Sequence, residues 1–166
     1  MAMHATYSAN RVTINFGGVN FSGKGDQDFV TISRNSDRVE IRSGADGHKS
    51  VALLADHSAT VTYIAFPESD TAKILNIMEQ SWRVAEQANV GVAGALPFAM
   101  ADASGIAIVG ATEAIMTKAG DITLGTTSGV QEFTFYLVNP VFAALPSDIA
   151  GSVQSTLDKI PKIQLG

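Results

Sequence analysis

The chemistry-bearing residues of this chain come in short polar clusters. His48 stands two residues from Asp46, and His57 is adjacent to Asp56. Imidazole and carboxylate together suit zinc or iron, so a site assembled from Asp46, His48, Asp56 and His57 would support metal-assisted hydrolysis. The spacing is not a ligand signature, however, and each pair lies in a polar stretch where Asp favours a bend through its own side-chain hydrogen bonds. Asp56-His57-Ser58 holds the residue types of a catalytic triad, yet sequence neighbours cannot face one another in the relay geometry. Asp26 and Asp28 would share a strand face as a carboxylate pair, and a solvated turn explains them as well. Gly23-Lys24-Gly25-Asp26 has the look of a phosphate loop without its glycine spacing or its Lys-Ser/Thr ending. The expectation is a chain with no catalytic, metal-binding or cofactor-binding residues.

The elements that carry these clusters are more informative. Phe29–Ser33 and Thr60–Phe66 alternate as strands, with Val61 and Tyr63 opposed to Thr60, Thr62 and Ile64. Phe29 and Thr31 fall on one face, Val30 and Ile32 on the other. Between the two strands runs a polar ribbon turning at Gly44-Ala45-Asp46-Gly47, where Asp-Gly suits a tight turn. Ser36, Arg38, Glu40 and Arg42 share one side of that ribbon. The stretch from Asp28 to Phe66 therefore reads as a long hairpin projecting from a sheet. Ordering so polar an arm costs entropy that only a contact outside the monomer recovers. That points to self-assembly, with Arg38, Glu40, Arg42, Asp46, Gly47 and His48 as the candidate interface.

At 166 residues the chain suffices for one domain with a core. It is 46% hydrophobic and only 16% charged, against a usual charged share of about a quarter, which fits a surface covered by neighbours. Net charge is −5, and the basic residues are scattered apart from Arg34, Arg38 and Arg42. A groove that grips nucleic acid needs clustered Lys and Arg, so any DNA this protein meets should pass without sticking. Cysteine is absent, which removes disulfides, thiolate metal sites and Cys nucleophiles. Neither a signal-peptide pattern nor a membrane-spanning run appears, so synthesis in a cytoplasm is expected.

Residues 1–10 are small and polar and read as a mobile arm. Val12, Ile14 and Phe16 mark a strand closed by Gly17-Gly18, and Val19–Phe21 pairs back. Val51–Leu54 and the connection Asp56-His57-Ser58 lead into Thr60–Phe66. After Pro67, Ser69 or Asp70 caps a helix whose apolar residues Ile74, Ile77, Met78, Trp82, Ala85 and Ala88 should cover the sheet, with Gly91 and Gly94 ending it. Further strands are expected at Pro97–Ala101, Ile106–Val109, Thr112–Lys118, Ile122–Leu124 and Gln131–Val138, with a turn at Asp102-Ala103-Ser104-Gly105. Ser147–Ile160 reads as a short amphipathic helix on Ile149, Val153, Leu157 and Ile160.

The order of these pieces resembles the tail tube proteins of contractile-tailed bacteriophages, of the PhiTE type. The residues that carry the likeness are Phe16-Gly17-Gly18, Asp28-Phe29-Val30-Thr31-Ile32-Ser33-Arg34-Asn35, Gly44-Ala45-Asp46-Gly47, Ser58-Ala59-Thr60-Val61-Thr62, Pro97-Phe98, Asp102-Ala103-Ser104-Gly105 and Glu132-Phe133-Thr134-Phe135. The resemblance implies a mainly β (α+β) fold, a β-sandwich or barrel of tail-tube type with one packed helix and a long projecting hairpin. The expected division is a mobile arm at 1–10, a tube domain at 11–145 and a C-terminal extension at 146–166, the last without a counterpart in the family. It also implies a structural virion protein rather than an enzyme. Six copies would close a ring, and stacked rings would form a tube for DNA delivery, with Ser36–Lys49 reaching the adjacent ring. Sheath, baseplate hub and tail terminator would be its partners, and DNA only passing cargo. Such a particle is assembled in a host cytoplasm. Thr31 and Ser33, or Thr60 and Thr62, are candidates for the lumen face. Two other readings stay open: the metal-assisted hydrolase above, and a monomeric binding module of the same fold.

Overall fold

A computed structural model describes residues 8–25, 28–88, 94–102 and 108–143. Residues 1–7 of the arm expected over 1–10, Asp26, Gly91, Ala103–Gly105 and the helix over 147–160 lie outside those residues, while Ala9–Arg11, at the end of that expected arm, forms a 3-10 turn held by Lys24. The fold is mainly β with one helix, and its strands pair antiparallel throughout. In chain order the elements are β1 (Val12–Phe16), β2 (Val19–Asn20), β3 (Val30–Arg34), β4 (Val39–Ser43), β5 (Lys49–Leu53), β6 (Ala59–Ala65), α1 (Asp70–Gln87), β7 (Leu96–Asp102), β8 (Ile108–Ala119), β9 (Gln131–Leu137) and β10 (Val141–Ala143). The main sheet runs β2-β1-β7-β8-β9-β6-β3, with β10 beside β8, while β4 and β5 form a separate two-stranded sheet.

Strand alternation builds a wall with one apolar face. β6 and β9 bury every second residue: Ala59, Val61, Tyr63 and Ala65 on one, Phe133, Phe135 and Leu137 with Gln131 on the other. The main sheet curls around these residues. β1 and β9 are separated by two strands, which in a flat sheet would set them about 14 Å apart, yet the rings of Phe16 and Phe135 lie 4.9 Å apart between centroids. Phe21 and Phe98 join the same cluster through Phe135. Curvature comes partly from β8, whose register against β7 shifts between Leu96 and Phe98 and against β9 between Met116 and Lys118. An extra residue in one strand bends it. The curl nearly closes at one end: Gly23–Gly25, following β2 at one edge, bonds the end of β6 beyond its pairing with the other edge strand, β3, Gly25 N–H to Ile64 O at 3.0 Å and Phe66 N–H to Gly23 O at 3.1 Å.

Some sequence expectations change here. Ile106–Val109 and Thr112–Lys118 are not separate strands, because β8 runs unbroken from Ile108 to Ala119. Ile122–Leu124 forms no strand; Leu124 makes only an isolated bridge to Ser128. Phe29 does not share a face with Thr31, since it precedes β3 and turns into the core.

α1 is capped by Ser69, whose hydroxyl accepts from the Ala72 N–H at 3.2 Å. Its buried face is Thr71, Ala72 and Leu75, continued by half-buried Met78 and Trp82. Ile74 and Ile77, expected against the sheet, are 40% and 65% exposed. Polar anchors set this rotation. Thr71 Oγ1 accepts from the Ser22 N–H, and Asn76 exchanges two 3.0 Å amide bonds with buried Gln131, which also donates to Gly120 O. Buried polar groups must be paired, so these bonds hold the Thr71, Ala72 and Leu75 side of the first turns inward in place of Ile74 and Ile77, while Met78, Trp82 and half-buried Ala85 lie where the aliphatic spacing places them. Gly94 does not stop the helix, which ends at Gln87. With φ of 61° it lies where any Cβ would strike the Trp82 ring.

Candidate functional site

The β4–β5 hairpin is the part of the described molecule that has no core of its own. β3 ends at Arg34, the chain leaves the barrel, and it returns at Ala59 to begin β6. The root is tied by three residues. Asn35 N–H donates to Ser58 O at 3.1 Å, its Nδ2 donates to Ser58 Oγ at 2.9 Å, and its Oδ1 accepts from Thr60 Oγ1 at 2.7 Å. Asp56 Oδ1 accepts from the Ser58 N–H at 3.0 Å, and these bonds from Ser58 hold the Asp56 carboxyl below its ordinary range. The triad-like Asp56-His57-Ser58 is thus a turn in which the buried Ser58 hydroxyl is occupied by Asn35.

Beyond the root the strands pair in register from Val39↔Leu53 to Ser43↔Lys49. The tip is closed by Gly44 N–H to His48 O at 2.7 Å and Gly47 N–H to Gly44 O at 3.0 Å, with Gly47 at φ of 84°. Register assigns the two faces. Glu40, Arg42, Ser50 and Ala52 share one, and Glu40 and Arg42 pair with each other at 2.7 Å while exposed. The other carries Val39, Ile41, Val51 and Leu53, of which Ile41, Val51 and Leu53 are 61%, 62% and 77% exposed.

Magnitudes separate what covering each face would contribute. An exposed ion pair contributes about 0–1 kcal/mol, and Arg42 and Glu40 already satisfy one another. Burying an exposed Val, Leu or Ile contributes about 1.5–3 kcal/mol each, so covering the opposite face would contribute on the order of 5 kcal/mol per arm. Sequence reading chose the charged side and missed Ile41, Val51 and Leu53. The signal was present: position 41 with 39, and 51 with 53, alternate with polar neighbours in the same stretch.

The metal-site residues are not brought together. Asp46 and His48 sit at the tip, 3.8 Å apart and exposed, whereas Asp56 and His57 sit at the root. The five-residue ladder between them is about 14 Å long. No group of three or more potential ligands forms among the described residues. At the root an open groove of about 450 Å³ is lined by Arg34, Asp37, Arg38, Asp56, His57 and Phe142 among others, and Arg34 lies over the Phe142 ring at 4.4 Å. Lys24 of the phosphate-like loop is likewise committed. Its Nζ donates to Ala9 O and Val12 O at 2.6 and 2.7 Å, and burial lowers its pKa. No described helix is long and apolar enough to cross a membrane.

The candidate lumen residues fall together. Thr31 faces Thr62, which faces Thr134, and Ser33 faces Thr60. All four candidates therefore lie on the outer face of the curled sheet, opposite the aromatic core.

This curled sheet with an end helix and a detached two-stranded arm is a fold shared with solved tube-end and sheath–tube components. It resembles the sheath/tube terminator of an extracellular contractile injection system, PVC, in the extended state (TM-score 0.55, 14% identity, 86% of this chain and 100% of that one). It also resembles the tube-terminating cap of the anti-feeding prophage (TM-score 0.55, 11% identity, 87% and 95%). A chain of the extended PVC sheath–tube complex matches similarly (TM-score 0.54, 13% identity, 84% and 93%). These likenesses are of fold. No protein-family model and no curated relative matches the chain.

Proposed function

We propose that this chain is a non-enzymatic structural subunit of a contractile tail, one that closes into rings, hexameric by the resemblance, and stacks them into the hollow inner tube. The observation that carries this reading is the arm: an ordered, registered hairpin whose aliphatic face is left in water by its own subunit. Exposed apolar patches on an otherwise satisfied domain mark interaction sites. The shared fold with tube-end and sheath–tube components supports the same reading. β3 pairs only with β6 among the described strands, leaving an edge that a neighbouring subunit can extend, and ring closure removes such edges. The hydroxyl-rich face of Thr31, Ser33, Thr60 and Thr62 is the proposed lumen wall, with little positive charge to hold DNA back. In this reading the tube domain spans 11–145, the sheath, baseplate hub and terminator are partners, and the site of action is the virion tail.

A second reading follows from two of the structural likenesses, which are a terminator and a cap: the chain ends a tube rather than building it. Negative-stain microscopy at high protein concentration separates the two. A tube subunit gives stacks of indefinite length, and a terminator gives single rings that cap tube ends. Only monomers, both at high concentration and in the presence of tube ends, would remove both readings.

A further inference from the structure

A second unpartnered apolar surface lies at the other end of the molecule. The arm leaves from the Arg34 end of β3 and re-enters at the Ala59 end of β6, which pairs with Leu137 of β9. α1 follows the opposite end of β6, and its anchors Gln131 and Gly120 lie at the matching ends of β9 and β8. The arm and the helix therefore occupy opposite ends of the barrel. On α1, Asp70, Ile74, Ile77, Ser81 and Val84 recur at three- and four-residue spacing on a face turned away from the core, with Val84 52% exposed.

The two surfaces match in length and in charge. The arm's aliphatic face runs about 14 Å from Leu53 to Lys49, and Ile74 to Val84 spans about 15 Å. Lys49 ends the aliphatic face at the tip and makes no ion pair among the described residues. Asp70 ends the helical stripe at its N-terminus, highly exposed and only loosely paired with Lys73 at 4.0 Å. Complementary patches at opposite ends of one subunit form a head-to-tail contact, which repeats instead of closing.

We propose that the aliphatic face of the β4–β5 arm on one copy lies along the outward stripe of α1 on a second copy in the next ring, tip toward the helix N-terminus, with Lys49 against Asp70. This rests on the tube reading and says where the arm lands. A single such contact is smaller than stable interfaces need, so it holds only when a ring presents several arms at once.

The cysteine-free sequence allows a direct test. In assemblies of the double variant Val51→Cys, Ile74→Cys, mild oxidation should give a non-reducing ladder of dimers, trimers and higher chains, while each single variant gives none. Both positions are exposed, so folding is unaffected and is checked by thermal melting. Separately, Lys49→Asp and Asp70→Lys should each raise the concentration needed for stacking by about fivefold, and the two together should restore it. Stacked rings that give no ladder and no charge-swap rescue overturn the landing site and leave the tube reading standing. Failure of the unsubstituted chain to stack at all overturns the tube reading, and the contact with it.

Discussion

The barrel and the arm are built from the same alternating pattern and end in opposite states. In β6 and β9 the inward residues Val61, Tyr63, Phe133 and Phe135 are wholly covered by the subunit's own strands. No buried side-chain nitrogen or oxygen among the described residues lacks a hydrogen-bond partner. In β4 and β5 the equivalent alternation has nothing to turn toward, and Ile41, Val51 and Leu53 stay in water. An isolated two-stranded hairpin is at best marginally stable, so the arm's order rests on its Asn35, Ser58 and Thr60 root and its tip turn. The difference teaches how far the subunit's own packing reaches: the barrel satisfies itself, and the arm keeps an aliphatic face in water.

The comparison can be broken most drastically by excision. Replacing residues 37–55 with a short turn should leave the far-ultraviolet dichroism and melting cooperativity of the barrel intact while abolishing stacking seen by microscopy; normal tubes from that variant would end the argument for the arm. Phe135→Ala attacks the other side. It removes the ring that touches Phe16, Phe21 and Phe98, and chemical denaturation should show a loss of about 3–5 kcal/mol. Leu53→Asp sharpens the contrast, because stability should change by no more than about 0.5 kcal/mol while the concentration needed to assemble rises about tenfold or more, as read by sedimentation.

Gln131→Leu tests the helix anchor. It leaves the Asn76 amide without its partner and should cost about 1–3 kcal/mol, again with assembly affected only through folding. The smallest effect is alkaline. Burial pushes the Tyr63 hydroxyl up to about 12, and it donates to Ser22 O at 3.1 Å. A raised acid favours the neutral form in the folded state, so its contribution is complete below the ordinary Tyr value near 10 and is lost as pH climbs from there toward 12. Melting temperature measured from pH 9 to 12 should fall less steeply in Tyr63→Phe.

Local pattern made several features legible. The β6 alternation, the Gly44–Gly47 turn and the Ser69 cap each depend on a few neighbouring residues, and each is where the sequence places it. The helix face was only partly legible: Met78, Trp82 and Ala85 are partly buried where the spacing places them, but Ile74 and Ile77 satisfy an amphipathic spacing as well as Leu75 does. The choice was made by Gln131, 55 residues from Asn76. β8 was divided in reading at Gly110-Ala111, where a glycine interrupts the strand pattern, although both residues pair in regular register with Ala99 and Phe98. Of the candidate interface, the projecting hairpin was legible, whereas its exposed aliphatic face of Ile41, Val51 and Leu53 was passed over because such residues resemble ordinary strand residues.

By itself, then, the sequence determined a cysteine-free, lightly charged β chain with one capped helix and a hairpin long enough to leave the body, since those depend on composition and on contacts within a few residues. Only the tertiary structure decided that the sheet curls onto Phe135, that the arm and helix lie at opposite ends, and which face of each remains uncovered. Those are relations between distant segments, set by strand register and buried polar partners, and no local periodicity encodes them.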